Sequence, residues 1–103
     1  MAHKADAQQI AKDFVQACRG LGIPISKAFL FGSYARGTAD RHSDIDVVLV
    51  SEAFGSNIVR NAGLTARVNW QFPLVEVHHY NPAEFEEATP LVNEIKATGI
   101  RVD

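Results

Sequence analysis

The sequence predicts an α/β (α+β) fold, in which a small mixed β-sheet of three to four strands carries helices packed against it. Amphipathic segments with helical periodicity alternate along the chain with short apolar segments rich in β-branched residues, and turn residues separate them. The chain has 103 residues, of which 47% are hydrophobic and 21% are charged, a balance that suits one core and is untypical of a disordered chain. We therefore expect residues 1–103 to form a single domain.

The first predicted elements are a helix, a strand and a turn that opens a short helix. The helix is predicted over residues 5–19, because Phe14 and Cys18 fall on one face and Gly20 suits its end. Residues 26–31 then become increasingly apolar, which predicts a strand. The segment GSYARG follows directly and is typical of a turn that leads into a short helix.

The middle of the chain holds its most apolar segment. Residues 44–51 read DIDVVLVS, and their β-branched run predicts a strand that is buried on both faces. Ser56 is predicted to cap a second long helix that extends to about residue 69. Residues 72–80 predict a third strand, which is apolar at its start and is interrupted by Glu76.

The last predicted element is a helix that packs on the sheet. Asn81 and Pro82 are expected to end the third strand. Thr89 is predicted to be the cap of the final helix, Pro90 its first residue and Gly99 the residue just past its end. The predicted order of elements is therefore αβαβαβα, a small mixed sheet with helices against it.

The charge and the cysteine content exclude several classes of function. The net charge is -2 and the isoelectric point is about 6.0, so no basic surface is expected to hold an extended nucleic acid. The single cysteine, Cys18, allows no internal disulfide and no thiolate zinc cluster. No apolar run is long enough to span a membrane, and we expect a soluble, cytoplasmic protein.

Two acidic residues begin the most apolar strand. Asp44 and Asp46 are two positions apart, so their side chains are predicted to project from the same face of the strand near its start. Paired carboxylates at this spacing can share a divalent cation, and Mg²⁺ suits oxygen ligands and leaves positions for water and phosphate. The alternative is the solvated beginning of a strand, with one acid capping a turn.

Gly32 and Ser33 lie where the first strand is predicted to end and a helix to begin. A glycine there allows the backbone to approach a phosphate group closely, and a serine hydroxyl can donate a hydrogen bond to a phosphate oxygen. A Gly-Ser pair is also an ordinary turn. Together with a two-acid metal site, the pair would provide what phosphoryl or nucleotidyl transfer requires.

Eight residues of this region form the pattern G-S-x-A-R-G…S-D-x-D in the correct order: Gly32, Ser33, Ala35, Arg36, Gly37, Ser43, Asp44 and Asp46. The pattern resembles that of the minimal nucleotidyltransferase family, which belongs to the polymerase β-like superfamily. The resemblance extends from about residue 26 to the end of the chain and implies a nucleotidyltransferase-like fold.

The resemblance implies that Glu76 is the third carboxylate of the site. The alternation of the strand places Leu74, Glu76 and His78 on one face, and His79 on the other face. A glutamate in an apolar strand requires a cation or a hydrogen-bond donor beside it. The alternative to a catalytic role is a salt bridge, for which the candidate partners are Arg36, Arg41 and Arg67.

Two further residues of the pattern have open roles. Arg36 could reach a triphosphate or could pair with a neighbouring acid such as Asp40. Ser43 could cap the turn before the strand or donate to a phosphate.

The adjacent residues His78 and His79 are predicted to point to opposite faces, so the two cannot bind one metal ion together.

The resemblance implies a magnesium-dependent nucleotidyltransferase that transfers a nucleoside monophosphate to a hydroxyl group, and the expected transfer is of AMP from ATP. It implies that Mg²⁺ is bound by Asp44, Asp46 and Glu76, and that the nucleotide is contacted by Gly32, Ser33, Arg36 and Ser43. Because such small chains lack an acceptor domain, a partner is expected, either another copy or a HEPN-type toxin that the chain adenylylates as its antitoxin. Two alternatives are an antitoxin that blocks its toxin sterically, and the catalytic subunit of a small-molecule, aminoglycoside-like transferase.

Overall fold

The structure, a computed structural model, describes residues 4–40 and 42–103. Its described elements are α1 (Lys4–Gly20), β1 (Lys27–Phe31), α2 (Ser33–Arg36), β2 (Ile45–Val50), α3 (Ile58–Gln71), β3 (Val75–Tyr80), α4 (Pro82–Glu86), α5 (Pro90–Thr98) and β4 (Ile100–Arg101). The strands form one sheet in the order β3-β2-β1-β4. Strand β1 is antiparallel to β2 and β4, whereas β2 and β3 are parallel. The predicted fold class, a small mixed sheet with helices, is confirmed.

The main hydrophobic core lies between one face of the sheet and helices α1 and α3. Helix α1 contributes Phe14, Val15 and Cys18, which are fully buried. The odd-numbered apolar residues of β2 face this core, among them Val47 and Leu49. Because a strand alternates its side chains, the even-numbered residues of β2 point to the opposite face.

The opposite face of the sheet is covered by the short helices at the end of the chain. Phe85 of α4 stacks on Phe29 of β1 with ring centroids 5.4 Å apart, and Val48 and Val50 of β2 pack in the same cluster. Along β2 the next residue on this face towards the start of the strand is Asp46. The apolar surface therefore ends at the position where the sequence places its acidic residues.

Capping side chains fix the ends of the later helices. Asn57, and not the predicted Ser56, caps α3 by accepting the backbone N–H of Arg60 at 3.0 Å. Thr89 caps α5 by accepting the backbone N–H of Val92, as predicted. Asn and Ser are about equally favoured as N-cap residues, so the sequence alone does not show which of Ser56 and Asn57 caps the helix.

Three short segments differ from the sequence-based prediction. Residues 72–74 connect α3 to β3 and are not part of the strand, because the Phe72 ring packs edge-on against Phe14 in the main core at 5.6 Å. Helix α4 was not predicted; it follows β3 at once and begins with a capping box formed by Asn81 and Glu84. Strand β4 was not predicted either, since its two residues have no strand signal and form a strand by pairing with β1.

In the part of the chain described, no helix combines the length and the apolar character needed to cross a membrane.

Asp103 attaches the residues after β4 to the edge of the sheet. Its carboxylate accepts the backbone N–H of Ala28 at 3.2 Å and two hydrogen bonds from the guanidinium of Arg101, each 2.7 Å long. The hydrogen bonds from Arg101, together with the bond from Ala28, lower the pKa of Asp103 from 3.8 to about 2. The ionised carboxylate therefore stabilises the folded state.

We expect Asp103→Asn to lower the free energy of unfolding by about 1 kcal/mol at neutral pH, because the ion pair is partly solvated. The pKa of Asp103 is lower in the folded chain than the ordinary 3.8, so the stabilisation is complete above about pH 4 and is lost as the pH falls towards about 2. Urea denaturation of both proteins at several pH values measures the difference, which should narrow below about pH 4. A difference that stays constant down to about pH 2 would contradict this assignment.

Candidate active site

The turn after β1 lies directly against the carboxylate of Asp46. Gly32 occupies this turn with φ 75° and ψ -150°, a conformation that is essentially restricted to glycine. A Cβ atom at this position would lie 2.5 Å from Oδ2 of Asp46. The sequence Phe31–Gly32 therefore ends the strand and brings a bare backbone next to the acidic side chain.

Parallel pairing of two strands brings the acidic residues together. Asp46 of β2 and Glu76 of β3 are register partners, and His78 lies two positions further along β3 on the same face. One ligand atom from each of Asp46, Glu76 and His78 lies within 4.8 Å of those of the other two. We refer to these three residues as the acidic–histidine cluster.

The His78 ring packs against an aromatic side chain, and one of its nitrogen atoms lies near Asp46. It meets the Phe31 ring edge-on, with centroids 5.0 Å apart and an interplanar angle of 78°. Its Nε2 atom lies 3.5 Å from Oδ1 of Asp46, and this nitrogen is buried without a hydrogen-bond partner among the described residues. A buried nitrogen with an unused lone pair or proton, beside two carboxylates, is suited to a ligand that the protein atoms do not supply.

The alternative of a salt bridge at Glu76 has no support among the described residues. Glu76 makes no ion pair there, and Arg36 pairs with Glu94 of α5 at 3.5 Å, away from Glu76 and from the predicted partner Asp40. The candidate Arg41 lies outside the described residues. Among the described residues no Lys or Arg pairs with Asp46 or Glu76. Two carboxylates and one imidazole form a donor set that fits a divalent metal ion.

Asp44 lies beside the cluster and is not one of its three members. Asp44 is exposed and directly precedes β2. The strand begins at Ile45, one position later than predicted. Together with Glu76 it lines an open groove of about 430 Å³ between α3 and the free edge of β3. Asp44 therefore lies outside the cluster, on the groove that Glu76 also lines.

The predicted nucleotide contacts lie in the segments that flank the cluster. Ser33 is the first residue of α2, immediately after Gly32. The Ser43 hydroxyl accepts the backbone N–H of Asp40 at 3.0 Å, which corresponds to the predicted capping of this loop. Arg36 extends from the end of α2 to Glu94 of α5. Gly32 is thus the predicted contact residue that touches the cluster.

His79 lies on the other face of the sheet, as predicted. Its Nε2 atom is 2.8 Å from the Thr65 hydroxyl of α3, and its ring meets the Phe54 ring edge-on. Burial, and secondarily the neighbouring His78, lower the pKa of His79 to about 4, so its imidazole is neutral at pH 7. His79 is therefore a structural contact between the sheet and α3.

His78 was not predicted to belong to the candidate site. The two adjacent histidines were expected to point to opposite faces of the strand, which excludes their binding one metal ion as a pair. The available signal was the spacing of Glu76 and His78, which are two apart and share a face, as Asp44 and Asp46 do. Strand pairing was needed to show that His78 meets Asp46 of the neighbouring strand.

Comparisons with known proteins agree with this architecture. The nucleotidyltransferase domain family matches residues 11–101. Over 44 residues the chain is 41% identical to a Methanocaldococcus jannaschii protein provisionally named a protein adenylyltransferase. That match covers 42% of this chain and 30% of the relative, so it spans less than a third of that protein.

Solved structures with a similar fold include a provisionally assigned nucleotidyltransferase from Sulfolobus solfataricus, with a TM-score of 0.66 and 19% identity over 95% of this chain and 80% of that chain. Another is a complex of a tri-AMPylated Shewanella oneidensis HEPN toxin with an MNT antitoxin, with a TM-score of 0.60 and 19% identity over 93% of this chain and 71% of that chain. At these identities the structures show a shared fold. Since the family match extends over nearly the whole sequence, this chain belongs to the nucleotidyltransferase domain family.

Proposed function

We propose that this chain transfers a nucleoside monophosphate, AMP from ATP, to a hydroxyl group of a partner protein, in the presence of a divalent cation such as Mg²⁺. The observation that carries the proposal is the convergence of Asp46 and Glu76 from adjacent strands, next to the bare backbone of Gly32, in a member of the nucleotidyltransferase domain family. The name of the M. jannaschii relative and the AMPylated toxin in a similar complex support AMP and a protein as donor and acceptor.

Each residue of the site has a proposed role. Asp46 and Glu76, with Asp44 beside the cluster, would hold the cation, whose charge offsets the negative charge that develops on the triphosphate. Gly32 leaves space for the phosphate chain, and Ser33 donates a hydrogen bond to one of its oxygens. Arg36 and Ser43, which flank this segment, are proposed as outer nucleotide contacts.

We propose that Glu76, besides contacting the cation, helps to accept the proton of the attacking hydroxyl group. Its carboxylate is exposed and makes no ion pair among the described residues, so it is available as a base. In the proposed reaction a bond forms between the acceptor oxygen and the α-phosphorus, the bond to the β-phosphate oxygen breaks, and pyrophosphate leaves. The groove of about 430 Å³ that Glu76 and Asp44 line is the proposed entrance for the acceptor.

An exposed apolar surface on α3 supports the proposal of a protein partner. We define the α3 surface by residues that lie on one side of the helix at spacings of one, three or four: Ile58, Val59, Ala62, Ala66 and Trp70. The side chains of Ile58, Val59 and Trp70 are 78%, 82% and 87% exposed. Contiguous exposed apolar residues of this kind are typical of protein-binding surfaces.

The charge of α3 and its position indicate the chemistry of the partner. The charged residues of this helix are Arg60 and Arg67, both exposed, so a partner with acidic residues beside an apolar stripe is complementary to it. Pairing of two copies through α3 would place like charges together. A hollow of about 530 Å³ beside Trp70 shares Ala62, Asn69 and Pro73 with the groove at Glu76. A partner bound to the α3 surface would therefore extend to the groove at the edge of β3 that Glu76 lines. A cytoplasmic HEPN-type toxin is the proposed partner.

The α3 surface would also serve a chain that neutralises its partner by covering it, without catalysis. Label transfer distinguishes the two functions. The chain is incubated with Mg²⁺ and α-labelled ATP, with and without a HEPN-type polypeptide, and the products are separated by electrophoresis. If the polypeptide becomes labelled by the original chain and not by the Asp46→Asn variant, the result supports the transferase. A stable complex without any label supports the steric function and contradicts transfer to the partner.

We expect Trp70→Ala to weaken binding of the partner by about 30-fold, because large exposed aromatic residues are the usual energetic centres of interfaces. Isothermal titration calorimetry with the HEPN-type polypeptide measures the change. Leu91→Ala is the matched control, since Leu91 is 42% exposed on α5 at the other face of the sheet. Equal effects of both substitutions, or a dimer of the chain alone that Trp70→Ala dissociates, would contradict the assignment of the α3 surface to a different protein.

A further inference from the structure

We infer that His78 is a direct ligand of the cation in the proposed site, and that it makes the site select a first-row transition-metal ion over Mg²⁺. The inference rests on the proposed function, because it concerns the same site. It goes beyond the sequence pattern, which supplies carboxylates alone and predicts Mg²⁺. Mn²⁺ is the probe, because it resembles Mg²⁺ in its preference for oxygen ligands. A difference in affinity between these two ions then reports the contribution of the nitrogen ligand.

The geometry of His78 supports ligation. Its Nε2 atom lies 3.5 Å from Oδ1 of Asp46, and one ligand atom each from Asp46, Glu76 and His78 lie within 4.8 Å of one another. The edge-on contact with Phe31 stabilises this orientation of the ring. Side chains that are fixed before the ion binds lose less conformational freedom on ligation.

The missing hydrogen bond of Nε2 distinguishes a ligand from a simple ion pair. A charged imidazole that existed to neutralise Asp46 is expected to donate a short hydrogen bond of about 2.7–2.9 Å. The observed separation of 3.5 Å is longer, and the buried Nε2 atom has no hydrogen-bond partner among the described residues. A metal ion bound between the two side chains would satisfy the nitrogen and both carboxylates together.

Ligand chemistry then determines the choice of ion. Mg²⁺ binds nitrogen weakly and is held by carboxylates, phosphates and water. First-row transition-metal ions accept imidazole nitrogen as well as carboxylate oxygen. A neutral His78 would therefore add to the affinity for Mn²⁺ and contribute little to the affinity for Mg²⁺.

Calorimetric titration with each metal alone tests the inference on chelator-treated protein. His78→Phe keeps an aromatic ring against Phe31 and removes the nitrogen. We expect this substitution to weaken Mn²⁺ binding by at least about 10-fold and Mg²⁺ binding by less than about 3-fold. The control His79→Gln changes the adjacent histidine on the other face of the sheet, and should leave both affinities within about 3-fold of their original values.

A spectroscopic measurement on the unmodified chain keeps the test independent of whether the variant folds. Electron spin echo envelope modulation spectroscopy of bound Mn²⁺ should show coupling to an imidazole nitrogen. Absence of this coupling, or a loss of Mn²⁺ and Mg²⁺ affinity in equal proportion in a folded His78→Phe protein, would overturn the inference and leave the proposed transferase intact. Failure of the unmodified chain to bind Mn²⁺ would overturn the inference, whereas the transferase itself is tested by label transfer from ATP.

Discussion

Asp46→Asn should lower the rate of AMP transfer by at least about 100-fold, because the amide removes the charge that holds a cation against the triphosphate. Asp46 lies at the centre of the acidic–histidine cluster, between Gly32, Glu76 and His78. The substitution conserves size and makes no cavity. We therefore expect the free energy of unfolding to change by less than about 1 kcal/mol. Label transfer from α-labelled ATP measures the rate, and urea denaturation measures the stability.

Glu52→Gln is the matched control for Asp46→Asn. Glu52 is an exposed acidic residue in the turn just after β2, so its substitution changes the net charge by the same amount. Transfer by the Glu52→Gln protein should remain within about 2-fold of the original rate, as is usual for a surface substitution away from the chemistry. Equal losses in the two variants would show that net charge, and not the cluster, controls the reaction.

Gly32→Ala is expected to remove activity and also to destabilise the chain by at least about 2 kcal/mol. Two effects add at this position. The backbone conformation, with φ 75° and ψ -150°, is strongly unfavourable for alanine, and the new Cβ atom would lie 2.5 Å from Oδ2 of Asp46. The turn or the carboxylate must shift, so the approach to the phosphate chain is blocked whichever of them moves.

Gly37→Ala separates the two effects. Gly37 also has a positive φ, 77°, but it is in the left-handed helical region and its Cβ would meet nothing within 4 Å. We expect a loss of about 1 kcal/mol in the free energy of unfolding and little change in transfer. Thermal denaturation and label transfer of both variants provide the comparison. If Gly37→Ala reduced transfer as much as Gly32→Ala does, the close contact with Asp46 would not be the cause.

The fold could be predicted from the sequence where local signals agree with the tertiary structure. The apolar run of β2 and the cap Thr89 with Pro90 were sufficient for their elements. The prediction was wrong at Phe72, because an apolar residue in a connecting segment packs against Phe14 and resembles the start of a strand. Strand β4 has only two residues, and its pairing with β1 depends on the position of α5.

The candidate site could be predicted in part. The resemblance selected Asp44, Asp46 and Glu76 in advance. The register pairing of Asp46 with Glu76 is consistent with this choice, whereas Asp44 lies outside the cluster. The position of His78 opposite Asp46 depends on which strand lies next to β2, and a single strand pattern does not contain this information. The ion pair of Arg36 with Glu94 could not be predicted either, because Glu94 is distant in sequence and lies on α5.

A crystal of the chain grown with Mn²⁺ and a non-hydrolysable ATP analogue tests the central claim most directly. We predict an anomalous diffraction peak between the carboxylates of Asp46 and Glu76 and the imidazole of His78, with the phosphate chain against Gly32. A nucleotide bound elsewhere, or carboxylates that turn away from one another and leave no metal peak between them, would contradict the account.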